Sequence, residues 1–508
     1  MQPSTRIAVN TVAQYLRTII NVFLGLYSTR LILHALGNED YGIYMLVAGI
    51  VGMLSFLTNA MSITTQRFLS FEQGAKNEER QSLIFANSLI MHVLLGVLVF
   101  IFLEIVGLFL FEGVLNIAHY RIAAAKQVYH ISLAMVFVSI LTSPFRACLV
   151  SHENLVFISI IDVVDGLWKV IIAIIVTNIH IDKLVLYAYL TLGIYIFAFV
   201  SMYIYTFLKY KECNIPKYEQ FSKTVIKELA SFAGWSLYSS ACIVGRNQGI
   251  AIVLNRFFGT VINASYGVAV QVSGALNFIA SSLLMAFNPP ISKAAGQNNI
   301  DRMFKLSMTA SKMSLILMCM FGIPLLCRLS DILKLWLGEE PENASLLCSV
   351  IMISAIIDQT TSGLISANRA LGKLKLYSLT VDSIKLSVIP ILALCLYFGV
   401  SIEYAIWSYA IAELLSAVTR LPILKRNANL NIGDWFKAIY IKTILPIVFL
   451  LIINYVLSFY PFNVVILVTE SIVASTIYLI ICYFVAFNKN ERDRIDSLIG
   501  KLLKLRVK

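Results

Sequence analysis

Apolar segments long enough to cross a bilayer follow one another along almost the whole of this chain. A span needs about 20 such residues. Stretches of that kind cover 7–35, 41–66, 83–111, 127–145, 155–178, 184–208, 228–255, 262–288, 303–327, 344–368, 374–398, 403–419, 443–459 and 463–487. A segment inside lipid must satisfy its own backbone, so each is expected to be a helix. The chain is 59% hydrophobic and only 13% charged, and its mean hydropathy is +0.81. These values exclude a soluble globular class and predict an all-α integral membrane protein of about 14 transmembrane helices. The net charge of +12 forms no continuous soluble face, so nucleic acid is not an expected partner. Membrane lipids are.

Lys and Arg crowd the connections on one side of these spans far more than on the other. By the positive-inside rule both termini are then cytoplasmic. The longest inner connection, 209–227, carries five lysines and divides the first twelve helices into six and six. The halves echo each other. Gly37, Tyr41-Gly42, Gly49 and the stretch from Gln66 to Gly74 and Ala75-Lys76-Asn77 have counterparts in Gly259, Tyr266-Gly267, Gly274 and Asn288 to Gly296 and Gln297-Asn298-Asn299. Asp165 with Lys169 is matched to Asp382 with Lys385. This order predicts a duplicated six-helix unit whose copies share an orientation. The expected organisation is an N-lobe at 1–208, a cytoplasmic linker at 209–227, a C-lobe at 228–426, two further helices within 427–488, and a basic amphipathic tail at 489–508. Residues 329–337 are too short to span and are expected to lie along the outer surface. The eight cysteines show no CxxC and no His/Cys ligand spacing, so no metal or other cofactor is expected. No phosphate loop, HExxH or GxSxG is present, so no enzyme is expected either.

Charges at mid-membrane depth are costly and usually kept for a polar path. Helix 1 carries Asn10, Gln14, Arg17 and Asn21 at i, i+4, i+7 and i+11, all on one face. Helix 2 carries Asn59 and Gln66 with Ser55 and Ser62 at the same spacing. Two chemistries share this pattern: the wall of an aqueous cavity, and interhelical hydrogen bonding inside a packed bundle. Helix 7 has Arg246 and Asn247; helix 8 has Gln271 and Asn277. Arg17 and Arg246 are the leading candidates for substrate contact, because a guanidinium fork can grip a phosphate in two places. Arg30 and Arg256 lie nearer the outer ends, where snorkelling competes with extension of a cationic path. Asp162, Asp165 and Lys169 share a face, as do Asp382 and Lys385, and each set is expected to pair within its helix. Asp358 and Glu413 have no cation one turn away in sequence. With Asp162, Asp165, Asp382 and Lys385 they are the candidates for ion coupling, to H+ or Na+.

The chain resembles the bacterial polysaccharide-transporter flippases of the multidrug/oligosaccharidyl-lipid/polysaccharide exporter superfamily. The resemblance rests on the opening that ends in Ser28-Thr29-Arg30, then Leu36-Gly37, Tyr41-Gly42, Gln66-Arg67-Phe68 before Gly74, and Leu335-Trp336-Leu337-Gly338 before Pro341. It implies two MATE-like six-helix lobes around a cationic cavity lined by helices 1, 2, 7 and 8, plus two C-terminal helices. It also implies alternating access and residence in the bacterial cytoplasmic membrane. The implied substrate is an undecaprenyl-diphosphate-linked oligosaccharide, an O-antigen, capsule or exopolysaccharide unit, moved from inner to outer leaflet. Other polysaccharide-assembly proteins are conceivable partners. Two rivals stand beside this reading: an ion-coupled multidrug exporter of the same fold, and a membrane glycosyltransferase or polymerase.

Overall fold

The computed structural model describes residues 3–489 except 53–54, 112–116, 180–181, 215–217 and 461–462, and also 491–493 and 496. The tail residues expected to form a basic amphipathic helix lie almost wholly outside the described residues. The chain forms two compact units, Ile7–Leu237 and one drawn mainly from Tyr238–Lys508. All regular structure described is helical.

In the first unit α1 runs Pro3–Gly52, α2 Ser55–Ala75, α3 Glu78–Phe109, α4 Ile122–Ser151, α5 Leu155–Asn178 and α6 Lys183–Lys209, and α7, Lys223–Gly296, begins there. α4 packs against α2, α3 and α6 and carries the core through Val128, Tyr129, Leu133 and Ile140. Gly107 lets α3 approach: a Cβ there would meet the Tyr129 ring at 2.5 Å. The Tyr129 hydroxyl donates to the Leu103 carbonyl at 2.5 Å.

In the second unit α7 is followed by α8 (Ile300–Cys327), α9 (Leu329–Leu337), α10 (Ala344–Gln359) and α11 (Ser362–Leu371). α12 (Leu374–Tyr377), a π turn at Ser378–Asp382, α13 (Ser383–Leu386) and α14 (Val388–Tyr397) together make one span. Then come α15 (Ile402–Ala405), α16 (Trp407–Ala428), α17 (Ile432–Phe436), α18 (Lys442–Leu457) and α19 (Val464–Val485). α18 and α19 pack on each other and on α8. Lys312 of α8 ties down the end of α19 by donating to the Ala486 carbonyl at 3.1 Å and to Glu491 at 2.6 Å. α9 is the short helix expected at 329–337; it leaves Leu335, Trp336 and Leu337 exposed and stops at Gly338, φ 85°.

The two halves share their punctuation. α1 and α7 each break at a glycine with positive φ, Gly37 (φ 76°, ψ 170°) and Gly259 (φ 73°, ψ −160°). That corner of φ/ψ space is open essentially to glycine alone. The following turns also match. Lys76 and Asn298 are left-handed at 57° and 54°, and the next residues, Asn77 and Asn299, cap α3 and α8 by accepting from the Arg80 and Arg302 N–H at 3.0 and 2.9 Å.

Among the described residues nine helices are long and apolar enough to cross a membrane, and a bent pair would make ten. The expected fourteen are therefore not all recovered by that measure. α5 falls short because Asp162, Asp165 and Lys169 interrupt its apolar run. The span expected at 344–368 is bent by 49° between α10 and α11. Arg420, buried at 1% exposure, fills the break: it donates to the Asp358 carbonyl at 3.4 Å and to the Thr361 hydroxyl at 2.8 Å, supplying partners that a broken helix lacks. Gly363 lets α11 close on α8, since a Cβ there would collide with the Ser307 carbonyl oxygen.

Candidate functional site

In the first unit the polar stripe of α1 is turned onto α5. Asn10 donates to the Glu153 carbonyl at 2.7 Å, Gln14 to the Ser159 hydroxyl at 3.4 Å, and Arg17 to Asp162 at 2.6 Å. The amide oxygen of Asn21 lies over Gly166. Of the two readings that the spacing allows, interhelical bonding thus describes Asn10 and Gln14, both buried. Arg146 of α4 grips the same carboxylate with two bonds, 3.0 and 2.7 Å, so two guanidiniums share Asp162. The pairing of Asp162 or Asp165 with Lys169 expected within α5 does not dominate: Lys169 is exposed, and Asp165 Oδ1 is buried without a hydrogen-bond partner. Asn59 and Arg30 are exposed and Gln66 is half-buried.

The second unit holds a denser cluster. Tyr409, Glu413 and Arg420 recur at i, i+4 and i+11 along one face of α16. Arg246 of α7 donates to Glu413 at 2.9 Å and lies 4.4 Å over the Tyr409 ring, a cation–π contact. Lys385 bridges Glu413 and Asp358, the latter at 3.1 Å. Arg420 reaches Asp358 at 2.6 Å. Three cations thus face two carboxylates. All but Arg420 border a cavity of about 200 Å³ that Asn277, Tyr409 and Ser354 also line. Asn277 donates to the Ser273 hydroxyl at 3.1 Å, and Asn247 accepts weakly from Arg246 at 3.4 Å. Gln271 and Arg256 are exposed.

Two expectations change. Asp358 and Glu413 are the most heavily paired acids of the unit among the described residues, and apart from Arg420, which shares α16 with Glu413, their cations arrive from other helices. Lys385 forms no ion pair with Asp382; the π turn rotates Asp382 onto Ser239, which donates to it. Arg17 and Arg246, the two leading candidates, stand at different positions before the break glycines. Arg17 stands 20 residues before Gly37 and Arg246 13 before Gly259, a difference of about 10 Å along a helix axis. The counterpart of Arg17 is Ser239. Asp162 stands eight residues after the α5 cap and Asp382 nine after the α12 cap, and the π turn accounts for the extra one. Arg17–Asp162 and Ser239–Asp382 are then one contact in two copies, with Lys385 in the place of Asp165.

Sequence reasoning missed Arg146 and Arg420. Apolar runs end one residue before each, at 145 and 419, so both read as loop cations. Outside the spans, Arg121 donates to Asp40 at 2.7 Å and to Asp182 at 2.8 Å. The Arg121 bond holds the Asp182 carboxyl below the usual carboxylate range. Bonds from Ser330 and Ser345 do the same for Glu340.

The model of the family described as "Polysaccharide biosynthesis protein" matches residues 5–295. The chain belongs to that family. A relative, "Uncharacterized membrane protein EpsK" of Bacillus subtilis (strain 168), is 21% identical over 340 residues; the match spans 66% of this chain and 66% of that protein. The structure "Outward-facing conformation of a multidrug resistance MATE family transporter of the MOP superfamily" shares the fold at a TM-score of 0.71 and 14% identity, covering 86% of this chain and 97% of its own. So does "Reverse polarity of binding pocket suggests different function of a MOP superfamily transporter from Pyrococcus furiosus Vc1 (DSM3638)", at 0.71 and 15%, covering 84% and 96%. The chain is a multi-pass membrane protein with a MATE-like fold.

Proposed function

We propose that this chain is a flippase that carries an undecaprenyl-diphosphate-linked oligosaccharide from the inner to the outer leaflet by alternating access. The observation that carries this reading is the surplus of one cation in the buried cluster of Arg246, Lys385, Arg420, Asp358 and Glu413, in a chain of a polysaccharide biosynthesis family. An anionic headgroup suits that surplus. A multidrug exporter taking organic cations would gain more from surplus acids.

The existing ion pairs refine the role of Arg246. Its guanidinium is already satisfied by Glu413, so a diphosphate must exchange with that carboxylate. Protonation of Glu413, or binding of Na+ in its place, would ease the exchange and couple it to an ion gradient; Asp358 would do the same for Arg420 and Lys385. Each state then satisfies Arg246 with a different anion, and a ligand with different affinity for two states shifts their populations. In the first unit Arg17 and Arg146 around Asp162 offer the same exchange.

The test uses proteoliposomes loaded with a short undecaprenyl-diphosphate oligosaccharide and an impermeant reagent that modifies exposed glycans. The parent protein should double the modifiable fraction, from the half that one leaflet presents, towards all of it. Arg246→Ala should abolish this. Glu413→Gln frees Arg246 of its carboxylate, so it should bind the headgroup roughly ten- to a hundredfold more tightly, the worth of one charge-assisted bond, yet turn over slowly. Protein that leaves the fraction at one half while extruding organic cations would make the chain a drug exporter. Glycan transfer by the purified protein would make it an enzyme.

A further inference from the structure

At the junction of α4 and the segment after α6, four metal-binding side chains converge that no transport step uses. Cys148 stands on the last turn of α4 and His152, four residues on, caps that helix; Glu212 and Cys213 follow α6. The Cys148 sulfur, a His152 ring nitrogen and a Glu212 carboxylate oxygen lie within 4.8 Å of one another. His152 Nε2 is 2.5 Å from Glu212 Oε1, and the Cys148 Sγ is 3.9 Å from the same oxygen. The Cys213 Sγ is 3.1 Å from that of Cys148.

We propose that Cys148, His152, Glu212 and Cys213 bind a divalent cation of the zinc class. The donor set decides the class. Two sulfurs, an imidazole and one carboxylate match the tetrahedral N/S/O sites of zinc, whereas magnesium and calcium take oxygen ligands. The spacing suits it too: with Zn–S bonds of about 2.3 Å, two sulfurs of a tetrahedron stand roughly 3.8 Å apart, so the thiols need separate by only about 0.7 Å from their 3.1 Å. The surroundings hold the ligands in place. The His152 ring stacks on Tyr210 at 3.9 Å and 14°. The Tyr210 hydroxyl accepts from Asn154 at 3.1 Å, and the Cys213 N–H closes a turn onto the Tyr210 carbonyl at 3.1 Å. Both sulfurs are buried, yet His152 and Glu212 edge an open cleft of about 650 Å³, through which a hydrated ion can arrive.

A metal here would staple the start of the 209–227 connection to the end of α4. Two elements that meet through residues some 60 apart would be joined by four coordinate bonds, and the free energy of metal binding would add to the stability of the first unit. The four residues lie outside the charge clusters, so this inference stands apart from the transport reading.

The experiment uses purified full-length protein in detergent, stripped with a chelator under reducing conditions and titrated with Co2+, then Zn2+. One Co2+ per chain should bind with tetrahedral visible bands and thiolate charge-transfer bands, and Zn2+ should displace it. Cys148→Ser and His152→Ala should each weaken binding by more than the 10- to 100-fold that loss of an outer-shell partner costs. Cys242→Ser and Cys319→Ser should leave it unchanged. A readout on the unaltered chain guards against variants that fail to fold: Zn2+ should slow maleimide capture of Cys148 and Cys213, and chelation should restore it. Absence of cobalt bands, identical bands in Cys148→Ser, or a Cys148–Cys213 disulfide in protein alkylated inside intact cells would each overturn the proposal.

Discussion

Removing the negative charge of Glu413 tests the buried cluster most directly. Glu413 is 2% exposed; its carboxylate contacts Lys385, takes a bond from Arg246 at 2.9 Å and stands 3.9 Å from Arg420. In Glu413→Gln three cations face one carboxylate, Asp358. At an effective dielectric near 20, each charge pair at these separations is worth about 4–6 kcal/mol of gross attraction. The desolvation that burial has already cost offsets most of it, and breaking one partner out of a buried pair leaves a net loss of about 3–5 kcal/mol. Adding Lys385→Met should recover much of that loss, because two cations then face one acid and the parent's surplus of one positive charge returns. Unfolding in detergent followed by denaturant titration would give the four corners of the cycle. The double variant should be more stable than the sum of the single effects by about 0.5–3 kcal/mol, the range for residues in one network. A Glu413→Gln protein within about 0.5 kcal/mol of the parent, or strict additivity with Lys385→Met, would refute the claim that these groups form one electrostatic unit.

Gly37→Ala and Gly259→Ala should each cost about 1–3 kcal/mol, from backbone strain alone, since no heavy atom lies within 4 Å of either new Cβ; equal stability of both variants in the same titration would show that the breaks are not needed. Asp182→Asn should destabilise by less than about 1 kcal/mol, because the carboxylate is 38% exposed and screened. The sign of its pH dependence follows from the lowered folded-state value: the contribution is complete above the usual 3.8 and lost as pH falls through that lowered value, so parent and variant stabilities should converge at the acid end, and a gap that widens there would contradict the Arg121 contact. For topology, a cysteine at position 217 should resist an impermeant thiol reagent in intact cells and one at position 339 should react; none of the eight native cysteines is exposed, so background is low, and the reverse pattern would invert the orientation.

Hydropathy, break glycines and caps are local quantities, and the sequence by itself determined what depends on them. Insertion into a membrane follows from apolar runs that no soluble fold could bury. The duplication was legible because turn chemistry repeats: Gly37 and Gly259 take backbone angles that other residues avoid, and Asn77 and Asn299 cap the helices that follow. The polar stripe of α1 was legible as a stripe, but its partner was not, since 3.6-residue periodicity gives a face and not what the face meets. Charge pairing was decided by tertiary structure alone. Arg17 meets Asp162 across 145 positions and Arg246 meets Glu413 across 167, while the intrahelical neighbours that sequence spacing favours turned elsewhere. Arg146 and Arg420 were hidden for a related reason: an apolar run ends at the first arginine, although a helix can carry that arginine into the membrane once a carboxylate from another helix awaits it. The span count shares this cause, because α5 falls short through its charges, and one of them, Asp162, is neutralised by Arg17 and Arg146 from other helices. Burial of a charge depends on where its partner is placed, and only packing places it.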